Sequence, residues 1–107
     1  MDFDRVKQIL DAGMAAWEAA NGTADLSNHG ATFSWATKAA LLAAVGHGKR
    51  LIQPEVIGNK KGNQANLIVD LRTGIDSPAL RMPRGGPFLA ESDVQEIEDW
   101  INAGCPD

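Results

Sequence analysis

Cysteine is almost missing from this chain. Cys105, third from the end, stands alone, which excludes an intrachain disulfide and every metal motif built on paired cysteines. Long apolar runs are missing as well. No stretch reaches the roughly 18 apolar residues of a membrane-spanning helix, so none is expected. The chain opens Met1-Asp2-Phe3-Asp4 and enters a helical pattern at once, without the basic and apolar stretches of a signal peptide. The expected compartment is cytoplasmic, or periplasmic if a leader has been removed. Positive charge is not in excess: the net charge is −4 and the pI about 5.0, which argues against the strongly basic face of a nucleic-acid binder. Lys and Arg are absent from the last seventeen residues, which carry Glu91, Asp93, Glu96, Glu98, Asp99 and Asp107. There is no internal repeat, low-complexity segment or linker. No serine, cysteine or carboxylate pair forms a catalytic constellation, so no enzyme activity is expected.

What is present fits one small domain spanning 1–107. The 44% hydrophobic and 22% charged residues are ordinary for a soluble globular protein. A domain of this size buries roughly two thirds of the surface its unfolded chain exposes, so a few large side chains carry much of its stability. Lys49, Arg50, Lys60, Lys61, Arg72, Arg81 and Arg84 form a basic middle against the acidic end. That pattern reads as solvated faces of opposite sign or as a docking patch for a charged protein partner.

Phe3, Val6, Ile9, Leu10, Gly13, Met14 and Trp17 recur at three- and four-residue steps, which predicts a helix over residues 3 to about 20. Asp2 or Asp4 would cap its start, and Asn21-Gly22 would stop it. Gly13 inside the pattern costs about 1 kcal/mol against alanine, so another helix is expected to approach closely there. A second helix is expected at about 37–46, carrying Ala39, Leu41, Leu42 and Val45, and residues 47–64 read mostly as loop. Leu67, Ile68, Val69 and Leu71 suit a short strand or a short helix alike. The last helix carries Val94, Ile97, Trp100 and Ile101 as its stripe. A capping box of Ser92 and Gln95 would open it; Gly104 and Pro106 would close it.

The stretch Arg81-Met82-Pro83-Arg84-Gly85-Gly86-Pro87-Phe88-Leu89, followed by Ser92 and then Trp100-Ile101-Asn102-Ala103-Gly104-Cys105-Pro106, resembles the closing section of class I cytochrome c domains. In that family a Met-Pro dipeptide supplies a haem-iron ligand, and a C-terminal helix ending in Trp-Ile-x-x-Gly-x-Pro follows. The match covers about the last 27 residues. Phe3, Val6, Ile9 and Leu10 resemble the opening helix of the same family. The resemblance implies an all-α, cytochrome c-like fold. Its N- and C-terminal helices would pack crosswise, in contact near Gly13 and Trp100, with one or two shorter helices and long loops between. The haem-attachment motif Cys-x-x-Cys-His would fall on Met14-Ala15-Ala16-Trp17-Glu18, or, less well, on Asp25-Leu26-Ser27-Asn28-His29. Both windows lack both cysteines, so thioether attachment of haem through two sulfurs is chemically excluded.

An empty haem-sized hole would cost about 24 cal/mol per cubic ångström, more than the roughly 5–15 kcal/mol stability of such a domain. Met14, Trp17 and Trp35, with Phe33 in support, are therefore expected to fill much of the vacated volume. Together with Met82 they would line any residual binding cavity. Met14, Trp17, Glu18 and Met82 are the vestigial haem-motif positions. Met82 reads as a core methionine and Glu18 as a solvated or capping carboxylate. His29 and His47 are loop histidines without ligand spacing, so no metal is expected. Gly46-His47-Gly48-Lys49-Arg50 lacks the full phosphate-loop pattern. Asn21-Gly22-Thr23 matches a glycosylation acceptor, without relevance in the cytoplasm. Cys105 follows a helix C-terminus, where the dipole disfavours a thiolate. The expected function is a haem-free, non-enzymatic interaction or small-ligand-binding module. It needs no cofactor, contacts neither nucleic acid nor membrane, and takes an unknown protein partner or small ligand. The alternatives are an electron-transfer protein with non-covalent haem, using Met82 with His29 or His47, and an accessory subunit of an enzyme.

Overall fold

The computed structural model describes residues 2–22, 34–46, 48–74, 81–83 and 86–107, and these are mostly helical. The helices are α1 (Phe3–Asn21), α2 (Lys38–Ala43), α3 (Asn66–Arg72) and α4 (Glu91–Asn102). Between α2 and α3 run a minimal antiparallel pair, β1 (Val45–Gly46) with β2 (Lys49–Arg50), and two 3-10 turns, Pro54–Val56 and Gly62–Gln64. No described helix is long and apolar enough to cross a membrane.

Asp2 caps α1 by accepting the Arg5 backbone N–H at 3.0 Å. At the other end Gly22, with φ +95°, donates its N–H to the Glu18 carbonyl. Phe3, Val6, Ile9 and Leu10 are buried. The buried stripe stops at Leu10, and Met14 and Trp17, one and two turns further, are only half-buried. Thr37 caps α2 through the Ala40 N–H. Of its apolar residues Leu41 is sealed and Leu42 half-buried, while Val45 lies outside the helix in β1 and is exposed.

The stretch around Leu67 is helical because the chain before it supplies the missing start. Gln53 accepts the Asn66 N–H at 2.9 Å and donates to the Gln64 carbonyl at 2.8 Å, while the Asn66 amide reaches the Arg50 carbonyl at 2.7 Å. Once in a helix, Leu67, Ile68 and Leu71 share one buried face, and α3 packs against α4.

The last helix buries Val94, Ile97, Trp100 and Ile101 as its spacing demands. Its start departs from the expected capping box. The helix begins two residues earlier, at Glu91, and its preceding residue, Ala90, has no side chain to cap it; the Ala90 carbonyl accepts the Asp93 and Val94 N–H groups. Gln95 turns to Glu98 and Asp99 instead, at 3.1 and 3.0 Å. The far end follows the expected pattern: Gly104, at φ +96°, donates to Ile101 and Cys105 to Trp100, both at 3.0 Å. These paired bonds are the Schellman arrangement. The Trp100 indole N–H then donates to the Pro106 carbonyl at 2.8 Å.

The first and last helices touch where Phe3 meets Trp100, ring centroids 6.1 Å apart. Gly13 does not take part in that contact. Its bare backbone faces Leu89, just ahead of α4, and a Cβ there would come within 2.8 Å of the leucine Cδ1. The space is thus used by one side chain rather than by a second helix. Charges reinforce the packing of α4 from two sides. Arg5 pairs with Glu96 at 2.8 Å and Asp93 at 3.5 Å; Arg72 pairs with Glu98 at 2.7 Å and Glu91 at 2.8 Å.

One more close approach fixes the loop onto α4. The buried Gly62 donates its N–H to Asn102 Oδ1 at 2.8 Å, and a Cβ at Gly62 would sit 2.8 Å from the backbone oxygen of Glu98. A helix carbonyl cannot swing aside as a side chain can. Gly62→Ala is expected to lower stability by about 1–3 kcal/mol through overpacking, read as a lower urea midpoint at unchanged slope. Gly13→Ala, which meets only the end of a leucine and gains helix propensity, should cost less.

Candidate functional site

Residues 81–83 and 86–90, here called the strap, precede α4. Its start is held from α3: Met82 donates its N–H to the Asp70 carbonyl at 2.9 Å, and Arg81 Nε donates to the Leu71 carbonyl at 3.1 Å. Its middle is tied to the end of α1. There the Asn21 side-chain amide donates to the Gly86 carbonyl at 2.8 Å and to the Trp17 carbonyl at 3.1 Å. Its last part drops Leu89 against Gly13. Gly86 has φ +72°, a conformation that only glycine adopts freely, and donates its own N–H to Pro83 at 2.8 Å.

The residues singled out from the sequence fall on α1, before α2 and on the strap. Met82 is half-buried and packs on the core. Trp35 is also half-buried against the core, and its indole N–H donates to Asp11 Oδ1 at 2.8 Å, tying the segment before α2 to the middle of α1. Lys7, bonded to Asp11 at 2.7 Å, together with that indole holds the Asp11 carboxyl below the usual carboxylate range. Met14 and Trp17 are half-buried on α1, and Glu18 is exposed. His29, His47, Phe33 and the second candidate haem window, 25–29, lie outside the described residues.

The expected filling of the core by Met14, Trp17 and Trp35 therefore needs correction. The sealed interior consists of Val6, Leu41, Ile52, Ile68, Val94, Ile97, Trp100 and Ile101. Leu41 of α2, Ile52 from the stretch after it and Ile68 of α3 reach the centre, and the large side chains of the second half of α1 stay at its edge. The opposed charge blocks also prove less separate than the sequence suggests. Arg72 is engaged by Glu91 and Glu98 of α4, which hold its guanidinium more firmly protonated than usual. The acidic helix turns four of its carboxylates onto the protein itself, toward Arg5 and Arg72.

Sequence reasoning passed over Asn21, Gly86 and the Arg81–Phe88 pair. Phe88 is 43% exposed, and the Arg81 guanidinium carbon lies 4.1 Å from its ring centroid. The two belong to a stretch without helical or strand periodicity, so no sequence pattern pairs them. Asn21 was legible only as a helix stop, although its side chain is the tie to the strap.

Cys105, the lone thiol, is buried behind the helix cap, and burial pushes it up to about 11. Among the described residues no group of three or more His, Cys, Asp or Glu is placed to hold a metal ion. Compared with protein-family models, curated proteins and solved structures, the chain matches none of them.

The thiol yields a direct expectation. A thiol whose folded value is raised favours the folded state while it stays protonated; the unfolded chain releases its proton first. Stability should fall as pH climbs from about 9.0 towards about 11, and Cys105→Ala should flatten that part of the profile. At neutral pH, Ellman's reagent should react with Cys105 only at the rate of unfolding.

Proposed function

We propose that the chain is a cytochrome c-like domain that carries no attached haem and serves as a non-enzymatic binding module. It takes a small apolar ligand, or an apolar side chain of a partner, where the strap meets the second half of α1. The observation that carries this reading is the state of four large side chains: Met14, Trp17, Trp35 and Met82 are all half-buried, none sealed in the core. Completing the burial of a large apolar side chain is favourable at about 25 cal/mol per Å² of apolar surface removed from water. An incoming apolar group gains that energy here without displacing the core.

Other features support the cytochrome-like part. Trp100, Ile101, Gly104 and Pro106 form a helix end in which each residue has a distinct role. The first and last helices touch through Phe3 and Trp100. The strap bearing Met82-Pro83 leans on the helix where the resembling family attaches its haem. Against haem itself stand the exposed Glu18 in the place of the attachment histidine and a single buried thiol at the other end of the chain. Tethering through two sulfurs has no partner atoms here.

Two measurements test the proposal. Purified protein titrated with haemin should develop no stoichiometric, low-spin Soret band; a saturating band at one haem per chain would replace this reading with non-covalent haem binding. The neutral fluorescent probe N-phenyl-1-naphthylamine should bind saturably. Trp17→Ser should weaken that binding, yet lower stability by only about 1 kcal/mol or less, as expected for a half-exposed site. Trp100→Ala, by contrast, should cost about 3–5 kcal/mol. Absence of saturable probe binding would remove the binding role.

A further inference from the structure

Four of the described cations are matched by carboxylates. Arg5 and Arg72 each engage two carboxylates, Lys7 pairs with Asp11 and Lys38 with Asp107. Arg50, Lys60 and Lys61 occupy exposed positions. Arg81 differs from both groups. It is half-buried, and no carboxylate among the described residues pairs with it.

Its geometry is also set. A guanidinium has five N–H donors in one plane. The Nε donor is committed to the Leu71 carbonyl at 3.1 Å, which anchors the plane to the end of α3. The guanidinium carbon lies over the Phe88 ring, 4.1 Å from its centroid. The four Nη hydrogens have no acceptor among the described residues. Leaving such donors half-desolvated is costly unless an acceptor arrives. Beside them stand the 43% exposed Phe88 and the half-buried Met82, so the cation has apolar neighbours.

We infer that Arg81, stacked on Phe88, is the recognition point for a carboxylate carried on an apolar body. This names the ligand class of the binding role proposed above and rests on it. The two Nη groups take the two carboxylate oxygens side by side, as the planar fork of arginine allows and the point charge of lysine does not. The apolar body then covers Phe88 and Met82. Phe88 serves twice: it holds the guanidinium in orientation and supplies the surface on which the ligand's apolar part rests.

Calorimetric titration with 1-naphthylacetate and with its neutral counterpart, 1-naphthylacetamide, separates charge recognition from apolar contact. The acid should bind at least about tenfold more tightly than the amide, in line with a charge-assisted bidentate pair, and raised salt should narrow the gap. Arg81→Gln should abolish the preference while leaving amide binding near its original level. Arg81→Lys, which keeps the charge but loses the fork, should retain only part of it, and Phe88→Leu should weaken both ligands. Thermal melts of each variant identify any that has lost its fold. Equal binding of acid and amide, or a preference that survives Arg81→Gln in a folded protein, overturns the inference while binding of N-phenyl-1-naphthylamine keeps the broader role standing. If neither naphthyl compound nor that probe binds, both fall.

Discussion

The structure depends on the apolar stripe of α4 and on how much of the chain must reach it. Val94, Ile97, Trp100 and Ile101 are all sealed, and α1, α3 and the 3-10 turn at Gly62–Gln64 each pack against that one helix. A twelve-residue helix is marginal by itself in water. It persists because three other elements bury its face, and α4 is the partner they share. The charges follow the same plan. Arg5 reaches α4 from α1 and Arg72 from α3, and each is satisfied by two carboxylates of that helix. The Arg5 pairs are exposed and contribute little individually, while the Arg72–Glu98 pair is part-buried.

The strap obeys a different logic. It has no periodicity and little helix or strand content of its own, so its path is set by three distant holds: carbonyls of α3, the Asn21 amide and the bare surface at Gly13. Each hold uses backbone, a polar amide or a glycine where an apolar side chain would have been expected. Gly86 and Leu89 are buried, while Arg81, Met82 and Pro83 are half-buried and Phe88 is exposed.

The two long helices could be read from the sequence because their apolar residues repeat at helical spacing over several turns. The α3 stretch could not, since four or five apolar residues fit either element, and what settles it is Gln53, thirteen positions before Asn66. The capping box at Ser92 and Gln95 was a sound local pattern overruled by competition: Gln95 finds Glu98 and Asp99 on its own helix, and the start shifts to Glu91. The volume argument placed Trp17 and Met14 in the core, whereas both are half-buried. It counted the side chains near the presumed void but could not see that Leu41, Ile52 and Ile68 arrive from elsewhere to fill the centre. The Arg81–Phe88 stack was invisible, because it depends on how an aperiodic segment turns.

The bond between Trp100 and Pro106 carries a consequence for where the interior ends. The largest sealed side chain has one polar hydrogen, and its acceptor is the carbonyl of a residue that is itself exposed, beyond the helix and beyond its glycine stop. Proline is apt in that position, since it offers an oxygen and brings no amide hydrogen needing an acceptor of its own. The core is therefore completed by a residue on the outside of the molecule, and shortening the tail would be felt first at its centre.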